Sequence, residues 1–235
     1  RDLGIPYTGS DVMSSALAMN KALSYRVFGG HGITVPRHTV VSSHHLGGFD
    51  FNAFHLPAFV KPVDRGSSIG ISLVRRVTEL PMAIDKALSF SRGVLIEEYV
   101  PGRELTCAVV DDAMGGAFPL PVTEIKPKMK TFFDYSAKYT KGASDEITPA
   151  RLSAKEALQA QATAVRVHEA LGASGVSRTD MILGEDGELY VLELNTIPGM
   201  TETSLLPQAA IAHGMSLQDL FNRMIESAFV KQRQL

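Results

Sequence analysis

The sequence predicts a mixed α+β protein with mostly antiparallel strands. Segments of helical period alternate with short apolar strands, and two strands meet through a tight turn at Gly184-Glu185-Asp186-Gly187. Only one helix, at 80–90, has the position of a βαβ crossover.

Ser14 to Phe28 reads as one helix, with Leu17, Lys21 and Ser24 on one face and Ala18, Ala22 and Tyr25 on an apolar flank. Gly29, Gly30 and Gly32 stop it. Val35 to Val41 is a strand, His44 to Asn52 a polar loop, and Ala58 to Lys61 a strand ending at Pro62. A Gly/Ser turn leads to a strand from Ile69 to Val74, a helix from Leu80 to Phe90 and an apolar strand from Val94 to Val100. Pro101-Gly102 is the expected boundary between two subdomains. Residues 1–12 then read as a linker or the end of a preceding domain, 13–100 as a small subdomain and 101–235 as a large one.

The large subdomain opens with a strand at 103–110 and another near Leu120 to Ile125. Residues 126–148 are too polar for a core element, and a loop of that length is often a lid. Ser153 caps a helix running to Leu171, with Glu156 at the capping-box position. Val176 to Leu183 and Leu189 to Asn195 form the hairpin, and helices at 204–213 and 216–230 close the chain.

Composition narrows the function classes. The 235 residues carry 23 Lys plus Arg against 25 Asp plus Glu, a near balance that disfavours nucleic acid. Cys107 is the single cysteine, so an internal disulfide or Cys-rich zinc site is excluded, and a buried strand thiol in a reducing cytoplasmic setting is expected. No apolar run reaches the ~20 residues of a membrane helix, and no signal peptide is visible. His38, His44, His45 and His55 cluster without helical metal-ligand spacing and read as a solvated loop.

Chemistry concentrates in four places. Residues two apart on a strand share a face, so Arg178 with Asp180, and Glu193 with Asn195, converge across the hairpin. Two carboxylates and an amide oxygen form a hard set for Mg²⁺, with an arginine beside them for phosphate; an exposed salt bridge is the plainer alternative. Lys61 followed by Gly66-Ser67-Ser68-Ile69-Gly70 offers a point charge and backbone N–H groups to a polyphosphate, although such a turn is commonly just a hairpin. Glu97 and Glu104 flank the subdomain junction and suit an adenine amine and ribose hydroxyls, respectively. Lys126, Lys128, Lys130, Lys138 and Lys141 place positive charge in the expected lid.

Val60-Lys61-Pro62, Gly66–Gly70, Phe133-Asp134-Tyr135-Ser136-Ala137-Lys138-Tyr139, Arg178-Thr179-Asp180 and Glu193-Leu194-Asn195-Thr196-Ile197-Pro198-Gly199-Met200-Thr201 together resemble the D-alanine–D-alanine ligases of the ATP-grasp superfamily. The resemblance runs from about Leu3 to the end. It implies two α/β subdomains with ATP between them, corresponding to the family's central and C-terminal domains, the N-terminal domain having no counterpart. By resemblance, Lys21 and Lys61 hold phosphates, Ser67 and Ser68 fold over them, and Ser67 also reaches toward the substrate site. Glu97 and the backbone at Val100 meet adenine, and Glu104 holds ribose. Glu98 stands where many relatives carry lysine. Lys138 and Tyr139 belong to the lid that closes on the γ-phosphate and acceptor. Arg178 faces the transition state, while Asp180, Glu193 and Asn195 bind two Mg²⁺, for which Mn²⁺ can substitute. Gly199 donates an oxyanion N–H, and Ser204 and Leu205 hold the acceptor carboxylate.

The implied activity is ATP-dependent joining of two D-alanines through an acyl phosphate, for peptidoglycan synthesis in the cytoplasm, by a chain that can form a homodimer. Three alternatives stand beside it. One is a D-alanine–D-lactate or D-alanine–D-serine ligase, against the dipeptide-type Tyr139. Another is a different ATP-grasp carboxylate–amine ligase. The third is a nucleotide-binding module without turnover, expected if the donor-binding N-terminal domain is missing. In that case nucleotide binding survives while D-alanyl-D-alanine synthesis is impaired.

Overall fold

The computed structural model describes residues 4–42, 54–112, 114–127 and 144–233. The expected helix from Ser14 to Phe28 is two helices, α1 (Val12–Met19) and α2 (Lys21–Gly30), separated by Asn20. Asn20 has extended φ/ψ of −97° and 99°, and its side chain accepts from Leu23 N at 3.1 Å. It thus ends one helix and caps the next, which apolar periodicity does not reveal. The glycines end α2 two residues later than expected, with Gly32 at φ 63° completing the turn.

A four-stranded antiparallel sheet follows in the order β1-β4-β2-β3. Its strands are β1 (His38–Ser42), β2 (Ala58–Pro62), β3 (Ser72–Val74) and β4 (Gly93–Glu98). β1 and β3 each begin about three residues later than expected. Helix α3 (Leu80–Leu88) carries the chain from β3 past β2 to β4, which is the expected crossover. Leu80, Ala83, Ile84 and Ala87 of α3 pack on Val41, Ala58, Val60, Val74, Val94 and Ile96.

The second sheet has the order β10-β9-β5-β7-β8, with β6 also paired to β5. Its strands are β5 (Gly102–Asp111), β6 (Ala117–Pro119), β7 (Thr123–Pro127), β8 (Ser144–Ile147), β9 (Val176–Gly184) and β10 (Leu189–Asn195). β8, and β7 at 126–127, occupy the two ends of the stretch read as an irregular lid; residues 128–143 lie outside the described ones. Gly102 starts β5 against β9 so closely that a Cβ there would overlap the Leu183 carbonyl oxygen.

Strand alternation assigns the two faces of this sheet. Leu105, Cys107, Val109, Met181 and Leu183 pack against Ala160 and Ala164 of α4 (Ala154–Ala170). The Ser153/Glu156 capping box that opens α4 is formed as expected. On the opposite face, Ala108, Val110 and Val176 lie under α5 (Leu205–Ala212) and α6 (Leu217–Arg233). Those helices cover only the end of that face, leaving Glu104, Thr106, Arg178 and Asp180 uncovered by apolar packing. Burial raises the Cys107 thiol pKa to about 12, in keeping with an inert core residue.

A third core joins the sheets. Ala18, Tyr25 and Phe28 of α1 and α2 meet Val63 and Leu95 from the first sheet, Val167 and Leu171 of α4, and Val191 and Leu194 of β10. Helices α1 and α2 are therefore wedged between the halves of the molecule.

Candidate active site

The floor of the cleft is the β9–β10 hairpin. Its register sets Glu193 opposite Asp180 and Asn195 opposite Arg178. A bulge between Val191 and Glu193 makes this possible: it lets Val191 enter the apolar core although Glu193, two residues on, faces the cleft. Thr106 and Glu104 extend the same face on β5, paired with Asp180 and Ile182.

These groups are already organised. Arg178 donates Nε to Asp180 Oδ1 and Nη2 to Oδ2, both at 2.9 Å, and Thr106 Oγ1 donates to Asp180 Oδ1 at 2.7 Å. The Asp180 charge holds the Arg178 pKa above its ordinary value against burial, with Glu193 and Glu104 adding to the effect. Lys21 Nζ lies 2.9 Å from Glu193 Oε2 and donates to the Arg65 carbonyl at 2.9 Å. The first residue of α2 thus ties β10 to the turn that follows β2.

That turn has unusual backbone geometry. Ser67 and Ser68 sit at φ 53° and 58°, the left-handed region that favours glycine. Two successive serines held there present a cradle whose strain is of the kind met at ligand-binding loops.

On β2 and β4 a second cluster is nearly sealed from solvent. Lys61 Nζ is 2.5 Å from Glu97 Oε1, and the Tyr25 hydroxyl donates to Glu97 Oε2 at 2.6 Å. Burial and the Glu97 charge raise the Tyr25 pKa well above normal, so the phenol keeps its proton and acts as donor.

A cleft of about 1200 Å³ gathers Lys21, Ser67, Glu104, Arg178, Asp180, Glu193, Asn195, Gly199, Ser204 and Leu205. Of the other expected site residues, Lys61, Ser68 and Glu97 are not in its lining, and Val100 lines a separate hollow of about 530 Å³ with Glu98. Lys138 and Tyr139 lie outside the described residues, as do His44 and His45. At the far end, Gly199 faces Ser204, whose Oγ accepts from Thr201 N at 3.1 Å before α5 begins. Tyr25 and Thr106 are functional-site neighbours that the sequence reading missed. The available signals were Tyr25's place one helical turn after Lys21 and Thr106's place two residues after Glu104 on one strand face.

No three His, Cys, Asp or Glu side chains among the described residues form a metal cluster. The carboxylates of Asp180 and Glu193, with the Asn195 amide oxygen, nevertheless fit Mg²⁺, which takes one or two carboxylates plus phosphate oxygens.

Two α/β halves flank a cleft that carries Lys21, Arg178 and the paired carboxylates of Asp180 and Glu193, a set whose chemistry suits a phosphorylated nucleotide with its metal. The D-ala D-ala ligase C-terminus profile matches residues 31–226. A D-alanine–D-alanine ligase of Desulfotalea psychrophila is 47% identical, the alignment covering 98% of this chain and 72% of that protein. That of Geobacter sulfurreducens is 41% identical over 97% of this chain and 71% of its own length. Among solved structures, the Bacillus anthracis D-alanine–D-alanine ligase complexed with ATP has a TM-score of 0.84 at 29% identity, covering 99% of this chain and 73% of that one. The VanG D-Ala:D-Ser ligase of Enterococcus faecalis has a TM-score of 0.87 at 36% identity, covering 96% of this chain and 66% of that one. The chain belongs to the D-alanine–D-alanine ligase family, ATP-dependent carbon–nitrogen ligases with the ATP-grasp fold that serve peptidoglycan synthesis.

Proposed function

We propose that this chain positions ATP and two D-alanines in the cleft between its two sheets, as part of a D-alanine–D-alanine ligase working in the cytoplasm. The observation that carries this reading is the register that brings Arg178, Asp180, Glu193 and Asn195 together beside Lys21 and Glu104. In this reading Glu104 accepts from the ribose hydroxyls, and Glu97 with the Val100 backbone lies toward adenine. Lys21, Lys61 and the Ser67–Ser68 cradle face the phosphates. Two Mg²⁺ held by Asp180, Glu193 and Asn195 would supply neutralisation of the charge on the transferring phosphoryl.

The carboxylate of one D-alanine attacks the γ-phosphorus of ATP and ADP leaves, giving an acyl phosphate. The amine of the second D-alanine then attacks the acyl carbon, inorganic phosphate leaves and the amine gives up a proton as the peptide bond forms. No protein nucleophile is required, so the residues contribute placement and fixed positive charge. Arg178 is aimed by Asp180, and Asp180 by Thr106, so the cation is oriented before substrate arrives. In the same reading Gly199 offers its N–H to the oxyanion, Ser204 and Leu205 hold the acceptor carboxylate, and Lys138 and Tyr139 are assigned by resemblance to the γ-phosphate and the acceptor. Tyr139 favours an amine acceptor over lactate.

The test measures phosphate release and D-alanyl-D-alanine formation from ATP. Phosphate release that requires D-alanine, with dipeptide in equal amount, is expected. ATP binding without D-alanine-dependent turnover would favour the nucleotide-binding module instead, and preferred use of D-serine or D-lactate would reassign the acceptor.

A further inference from the structure

We propose that Tyr25 is a positioning residue for ATP phosphates, acting through Glu97 on Lys61; the inference rests on the reading of Lys61 as a phosphate-side cation. Tyr25, Glu97 and Lys61 are 2%, 1% and 8% exposed, so their mutual contacts are made with little help from water. Glu97 has two oxygens, and the structure gives one to Lys61 and the other to the Tyr25 hydroxyl. An ammonium has three N–H donors, and this division commits one of them to Glu97.

Removing the phenol leaves a buried anionic oxygen without that donor, which is costly in a low-dielectric site. The cheapest repair turns the carboxylate so that both oxygens face Lys61. That draws a second N–H inward and neutralises more of the positive charge meant for phosphate.

The surroundings hold the phenol on this course. The Tyr25 ring packs edge-on to His38 at 4.8 Å between centroids and near Phe28 at 6.3 Å. Its helix supplies a second link, because Lys21 lies one turn earlier and engages Glu193 on the other sheet. One face of α2 therefore sets a lysine–carboxylate contact in each half of the molecule.

The experiment is a double-mutant cycle on the full chain, with ATP affinity read by calorimetry for Tyr25→Phe, Lys61→Ala and the pair. Tyr25→Phe keeps the ring and its packing. Roughly ten- to a hundredfold weaker ATP binding is expected for it in the native background, the scale of one hydrogen bond to a charged group, with little further loss on Lys61→Ala. A merely structural Tyr25 would weaken ATP equally in both backgrounds, and that result overturns the proposal. Unchanged affinity in Tyr25→Phe, or a thermal melt showing the variant unfolded at the assay temperature, overturns it as well. Unchanged ATP affinity in Lys61→Ala alone would instead overturn the reading of Lys61 on which the inference rests.

Discussion

Thr179 lies between the two residues that do most to shape the cleft, yet its own hydroxyl points the other way. Strand alternation sends Arg178 and Asp180 to the cleft and Thr179 to the face under α4, where it is fully buried beside Cys107 in the β5–β9 register. Among the described residues its Oγ1 has no hydrogen-bond partner. A buried hydroxyl without a partner costs about 1–3 kcal/mol, and valine has nearly the same shape without the polar atom. Thr179→Val should therefore raise stability by about 1 kcal/mol and the melting temperature by roughly 2–4 °C for a chain of this size. ATP affinity should not change, since the methyl replaces a group on the far face. A lower melting temperature would show that the hydroxyl has a partner after all.

Among the elements, the join between α1 and α2 matters most for the site. Asn20 caps α2 from the residue immediately before Lys21, and Lys21 N donates to the Val63 carbonyl at 2.8 Å. Asn20→Ala removes the cap, which typically costs about 1 kcal/mol. It should also loosen the lysine that meets Glu193. A lower melting temperature and weaker ATP binding are expected together, with Asn20→Ser restoring both. A melting temperature equal to the native one would refute the capping role. The same join shows where the sequence stops being legible. The strands β2, β4, β5, β9 and β10 announce themselves by β-branched and apolar runs, and the capped start of α4 by its Ser/Glu spacing. Asn20 sits inside an unbroken apolar pattern, where a local side-chain cap competes with helix continuation and only tertiary packing decides. β8 is legible in neither period because Ser144–Ile147 is a polar strand at the end of the sheet order. Arg178, Asp180, Glu193 and Asn195 were readable from spacing because one hairpin holds all four. The Lys61–Glu97–Tyr25 cluster was not, since it needs β2 beside β4 and α2 laid across them, contacts 36 and 72 residues apart in the chain.

At the scale of the molecule, the two sheets are joined by the short link from Glu98 to Gly102 and by the core that α1 and α2 make between them. A nucleotide lying in the cleft adds a third connection. It would touch the Ser67 turn after β2 on one side and Glu104, Asp180 and Glu193 of the second sheet on the other. A ligand that binds only the native arrangement stabilises it by mass action, by about 2.7 kcal/mol at a hundred times its Kd. ATP with Mg²⁺ at that level should raise the melting temperature by roughly 5–10 °C and keep unfolding a single transition. Glu104→Ala should lower the ATP affinity by the worth of a charge-assisted hydrogen bond, roughly 1.5–3 kcal/mol, and so remove most of the shift at the same ATP concentration. Differential scanning calorimetry separates the alternatives. If only one half held the nucleotide, ATP would split the endotherm in two and move one part alone. A full shift retained in Glu104→Ala would take Glu104 out of the nucleotide site, and the second sheet would then engage ATP through Mg²⁺ held by Asp180 and Glu193, without a ribose contact from β5.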